Sequence, residues 1–66
     1  MSRKLDTKRN LINATQELLK EKSDITVREI SEHAFTNVAA INYYFGSKDE
    51  LIGIAVSEII EGFNLA

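Results

Sequence analysis

Residues 37–48 read NVAAINYYFGSK, and this stretch decides how the rest of the chain is arranged. Asn37 is a residue type that caps helices, and Gly46-Ser47 is a turn signal, so a short helix is expected from about Asn37 to Tyr44. At about 100° per residue, Ala40, Ile41 and Tyr44 share one face, while Val38, Ala39, Asn42 and Tyr43 point the other way. That second face carries no charge. A surface helix normally exposes Lys and Glu; one that exposes methyls, an amide and a phenol is shaped to lie against something.

Working outward, Thr26-Val-Arg-Glu29 and Ser47-Lys-Asp-Glu50 both match the S/T-x-x-E capping box. In that motif the hydroxyl accepts from the N3 amide and the carboxylate accepts from the cap amide. Two helix starts are thereby fixed. The second helix is expected over about 26–34, burying Val27, Ile30 and Ala34, and the fourth over about 48–64. Only Phe35-Thr36 separates the second helix from the third, too little chain for an antiparallel pair. A tight link of this kind gives the helix-turn-helix arrangement, with axes at about 90–120°. A first helix, from Asp6 or Thr7 to about Lys22, places Leu11, Ala14, Leu18 and Leu19 at helical spacing, and Ser23-Asp24 ends it. The fold class is all-α.

A chain of 66 residues without cysteine has neither a disulfide framework nor a Cys/His metal cluster. Its stability must come from packed apolar surface. His33 has no Cys or His near it in sequence and reads as a surface histidine; no metal or cofactor is expected. Glu29 and Glu50 are better explained as capping carboxylates than as catalytic acids, and no Ser/His/Asp set or phosphate-cradling glycine loop is present, so an enzyme is not expected. No apolar run approaches the roughly 20 residues of a membrane span, and the polar N-terminus lacks a secretory signal. The expected location is the cytoplasm.

The net charge of −2 hides a division. Residues 1–10 hold Arg3, Lys4, Lys8 and Arg9 against Asp6, whereas residues 48–66 hold Lys48 against Asp49, Glu50, Glu58 and Glu61. A basic arm can follow phosphates in an acidic chain, and it can equally be a solvated terminus. On the fourth helix, Leu51, Ile52, Ala55, Val56, Ile59, Ile60 and Phe63 span about 180°, wider than the roughly 100° stripe that one packed side needs. Half of that face seeks a further partner.

Taken together, Thr26-Val-Arg-Glu-Ile-Ser31, Asn37 to Lys48 and Asp49-Glu-Leu51 closely resemble the N-terminal DNA-binding domain of TetR-family transcriptional regulators. The likeness covers residue 7 to about residue 60 and is densest over Tyr43-Tyr-Phe-Gly-Ser-Lys48. It implies a three-helix DNA-binding domain with a helix-turn-helix, residues 1–47, and a linking fourth helix, residues 48–66, leading to a regulatory domain outside this sequence. The chain is therefore expected to be part of a longer protein. Its implied partners are a double-stranded DNA operator, a second copy joined through that absent C-terminal domain, and an inducer ligand bound there; the implied role is a ligand-released repressor. By position, Asn37, Val38, Ala39 and Asn42 fall where the family meets the major groove, and Thr26, Arg28, Tyr43, Tyr44 and Lys48 fall at positions that commonly touch phosphates. Arg3 and Lys4 are placed to reach along the backbone or into a minor groove. The chemistry agrees: hydroxyls, a lysine and helix N-terminal amides are ordinary phosphate donors. An Asn with neighbouring methyls, and no Arg or Lys on the third helix, favours A·T-rich half-sites.

Two departures stand out. Tyr44 occupies a position where many members have His, and Phe35 a position where they usually have Gly. Either Phe35 adopts a strained left-handed turn, costing roughly 1–2 kcal/mol, or the second helix ends differently and the ring covers apolar surface. From another class, a helical protein-interaction module would use the wide face of the last helix as its working surface, and an oligomerising structural domain is a remoter reading.

Overall fold

A computed structural model describes the backbone of residues 3–65 and the side chains of residues 7–62. Four helices follow in order: α1 Arg3–Glu21, α2 Val27–His33, α3 Val38–Phe45 and α4 Lys48–Leu65. All four were expected. α1 begins at Arg3, about a turn before the expected start at Asp6 or Thr7, and α3 runs one residue further, taking in Phe45. Arg3, Lys4 and Phe63 have side chains outside the described residues.

The helix ends follow from local chemistry. Thr26 forms a complete capping box with Glu29: the Thr26 hydroxyl accepts from the Glu29 amide at 3.1 Å, and Glu29 Oε1 accepts from the Thr26 amide at 3.0 Å. Asn37 caps α3 as expected, its Oδ1 accepting from the Ala40 amide at 3.1 Å. Of the second box, the structure records the hydroxyl half, Ser47 Oγ accepting from the Glu50 amide at 3.2 Å. Gly46 stops α3 with φ 86°, donating its amide to Asn42 O at 3.0 Å; a side chain at that φ would be strained.

The core sits where the helices converge. α1 packs against α4, α2 and α3, and α3 against α2 and α4. Leu11, Ile12 and Ala14 of α1 meet Ile30 and Ala34 of α2, Ile41 and Phe45 of α3, and Leu51 and Ala55 of α4, with Ile25 entering from the α1–α2 loop. Leu18, Leu19, Val27, Ala40, Tyr44 and Ile52 complete its edge, half-buried. Ile12 and Ile25, which the spacing did not pick out, are both buried. Two hydroxyls are buried with them, and each bonds to its own helix: Thr15 Oγ1 donates to Leu11 O at 2.8 Å, and Ser31 Oγ to Arg28 O at 3.0 Å. Neither leaves a polar atom orphaned in the core.

The link between α2 and α3 answers the question posed by Phe35. Its φ is +58°, the left-handed region, and the ring is 97% exposed. The strained turn is present; a ring covering apolar surface is not. The amide of Phe35 donates to Glu32 O at 3.1 Å and that of Thr36 to Ser31 O at 2.8 Å. These paired bonds form a Schellman ending, in which the left-handed residue is usually glycine. The bonds satisfy α2's last carbonyls and so hold Phe35 where its own side chain disfavours it.

Candidate nucleic-acid interface

The inward and outward faces of α3 divide as the periodicity requires. Ile41 and Phe45 are buried, and Ala40 and Tyr44 half-buried, which fixes the helix to the core. Val38, Ala39, Asn42 and Tyr43 are exposed, Tyr43 by 71%. The Tyr43 ring stands edge-to-face on Tyr44, with centroids 4.9 Å apart. The half-buried tyrosine thus braces the exposed one, and edge-to-face pairs add about 0.5–1.5 kcal/mol beyond burial.

Asn37 has a structural task at the same time. Its Oδ1 is engaged with the Ala40 amide, which leaves the side-chain NH2 as the free donor. It is a cap first, with a donor left over at the start of α3.

At the start of α2, the Thr26 oxygen accepts from Glu29, so its O–H proton remains available to an incoming acceptor. Arg28 is well exposed and only loosely paired with Glu32, Nε to Oε2 3.5 Å. Pairs of this kind are worth little in water, so the guanidinium is free to leave for a stronger partner. Lys48 departs from a solvated lysine: its Nζ donates to Ile25 O at 3.1 Å, across the gap from the start of α4 to the residue before the α2 cap. The ammonium is thereby brought beside Thr26. No local pattern signals this contact, which joins residues 23 positions apart.

The basic N-terminal segment is partly spent within the fold. Arg9 Nη1 pairs with Glu58 Oε1 at 2.7 Å, and Gln16 Nε2 donates to Ala55 O at 3.1 Å and to Glu58 Oε1 at 3.4 Å. The Arg9 guanidinium, with Gln16 adding to it, holds the Glu58 carboxyl below its ordinary pKa. Arg9 therefore acts as a strut between α1 and α4 and is withdrawn from the basic arm. His33 is a surface histidine whose Nε2 lies 2.8 Å from Glu17 Oε1. Among the described residues no group of three His, Cys, Asp or Glu side chains is placed to hold a metal ion, and no helix is long and apolar enough to cross a membrane.

A short second helix set against a third whose outer face is uncharged, with hydroxyl and cationic donors beside it, defines a helix-turn-helix DNA-binding domain. Residues 11–53 match the family model described as bacterial regulatory proteins, tetR family. The chain is also 41% identical over 63 residues to a probable HTH-type transcriptional regulator, YttP, of Bacillus subtilis strain 168; that alignment takes in 92% of this chain and 30% of the relative. No solved structure matches the chain. The protein belongs to the TetR family of bacterial transcriptional regulators, and it spans about 30% of the length of the relative it matches.

Proposed function

We propose that this chain reads operator DNA with α3 in the major groove, the start of α2 and Lys48 on the flanking phosphates, as the N-terminal part of a ligand-released repressor. The observation that carries the reading is the charge-free exposed face of α3, Val38, Ala39, Asn42 and Tyr43, held rigidly by Ile41 and Phe45. Close backbone approach, an amide and methyl groups are what base edges in the major groove accept. Thr26, Arg28, Tyr43, Tyr44 and Lys48 supply phosphate contacts, and Arg3 and Lys4 extend them along the backbone or into a minor groove.

Residues 1–47 then form the reading unit and residues 48–66 the link to a regulatory domain. That domain joins two copies and binds an inducer, whose binding alters the separation of two reading helices and releases the operator. Half-sites for such a dimer are near-palindromic and spaced by about one helical turn, 34–36 Å.

A second reading rests on α4. Val56, Ile59 and Ile60 are 37–53% exposed along one flank of a helix otherwise anchored by Leu51 and Ala55. In the DNA-reading protein this strip is covered by the regulatory domain; in a protein-docking module it is the working surface.

Selection from random-sequence duplex DNA, using the domain in dimerised form, separates the two. The expected outcome is enrichment of near-palindromic, A·T-rich half-sites, with Asn42→Ala altering the preferred bases. G·C-rich half-sites would sink the base-reading assignment of α3. No enrichment and no salt-sensitive binding would favour the docking module.

A further inference from the structure

The peptide group joining Ile25 to Thr26 is gripped from both ends by opposite charges. Its carbonyl accepts from the Lys48 ammonium at 3.1 Å, and its N–H donates to the Glu29 carboxylate at 3.0 Å. Glu29 is in turn paired through its other oxygen with Lys22, just past the end of α1. The Lys48 ammonium draws on the carbonyl and the Glu29 carboxylate draws on the N–H, so each bond polarises the peptide in the sense that strengthens the other. Three helix ends meet at this one peptide: the C-terminus of α1, the N-terminus of α2 and the N-terminus of α4.

We propose that Lys48 is a positioning residue, which clamps the Ile25–Thr26 peptide against Glu29 and so fixes the phosphate-facing start of α2, in addition to offering its own remaining N–H donors to DNA. The inference rests on the DNA-reading assignment above and adds to it a task performed in the free protein. It also gives Glu29 a part in binding, although a carboxylate beside the phosphates opposes binding by its charge. With Thr26 and Arg28 carried on the clamped turn, a shift of α4 that moves Lys48 would loosen them together.

The clamp and a simple phosphate contact differ in two measurable ways. In Lys48→Met, which keeps the aliphatic stem and loses the ammonium, amide exchange at Thr26 in the DNA-free protein should accelerate several-fold, while Lys48→Arg should hold it near the original rate. Binding to duplex DNA at low salt should show a salt slope reduced in Lys48→Met by clearly more than the about 0.9 that one phosphate supplies, because contacts from Thr26 and Arg28 weaken with it. Glu29→Ala supplies a test of opposite sign. Removing a negative charge near phosphates strengthens binding by electrostatics alone, whereas loss of the clamp should weaken it several-fold, in a variant whose circular dichroism confirms that it is folded. Unchanged exchange at Thr26 in Lys48→Met, or tighter binding by Glu29→Ala, overturns the positioning role and leaves the DNA reading standing. If the unaltered chain shows no salt-sensitive binding to duplex DNA, the DNA reading falls and the inference falls with it.

Discussion

Phe35 carries an unusual combination for a single residue: a left-handed backbone and a ring that packs on nothing. The conformation costs roughly 1–2 kcal/mol relative to the ordinary regions, and a ring 97% exposed returns no burial energy. Phe35→Gly removes the backbone cost but enlarges the unfolded ensemble, an offset of about 0.4–1 kcal/mol. The net expectation is a gain between about 0 and about 1.6 kcal/mol, read as a higher urea midpoint with an unchanged slope. A marked loss of stability would mean that the ring packs usefully after all. The sequence posed both alternatives, because a residue's φ depends on the hydrogen bonds that close the turn around it, here those of Glu32 and Ser31.

At the level of the elements, α3 shows why one short helix can be both anchored and presented. Ile41 is fully buried while Val38, one turn earlier, is 39% exposed, so neighbouring turns of the helix have separate tasks. Ile41→Ala should cost about 2–5 kcal/mol, a large share of the stability available to so small a domain. Loss of the cooperative melt is the expected readout. Val38→Ala should leave the melt within about 0.5 kcal/mol. A stable Ile41→Ala would mean that α3 is held mainly by its caps. This division was legible beforehand, since periodicity alone puts Ile41 with Ala40 and Tyr44 on one face and Val38 with Ala39, Asn42 and Tyr43 on the other. The strut between α1 and α4 was not: Arg9 and Glu58 are 49 residues apart, and nothing in either local pattern announces the other.

For the whole molecule, carboxylates tie the helices together, and that has a consequence for pH. Hydrogen bonding to Lys22, with the Thr26 amide adding to it, holds the Glu29 carboxyl below its ordinary pKa, and Arg9 does the same for Glu58. A carboxylate whose folded pKa lies below its unfolded value contributes stability that is present above the unfolded value, about 4.3 for Glu. That contribution is lost as pH falls through the folded value. Melting temperature should therefore vary little with these groups from neutrality to about pH 5 and decline below it. Glu29→Gln and Glu58→Gln should each flatten the decline. An unaltered acid profile in both variants would show that the pairs do not discriminate between folded and unfolded chains.

The sequence by itself determined the four helices, the caps at Thr26 and Asn37 and the hydroxyl half of the one at Ser47, the helix-turn-helix link and the two faces of α3, because each depends on residues within a few positions of one another. The over-wide apolar face of α4 was legible for the same reason, and Ile59 and Ile60 remain exposed on it. Only the tertiary structure decided which charges are free. It withdrew Arg9 into a pair with Glu58, set Lys48 on the carbonyl of Ile25, and left Phe35 strained and uncovered. For the two charges the physical reason is the same: periodicity and capping act along the chain over a turn or two, whereas a charge chooses its partner only after separate helices have been packed against one another. The φ of Phe35 is set more locally, by the bonds to Glu32 and Ser31 that close the end of α2, in a motif whose usual glycine this sequence lacks.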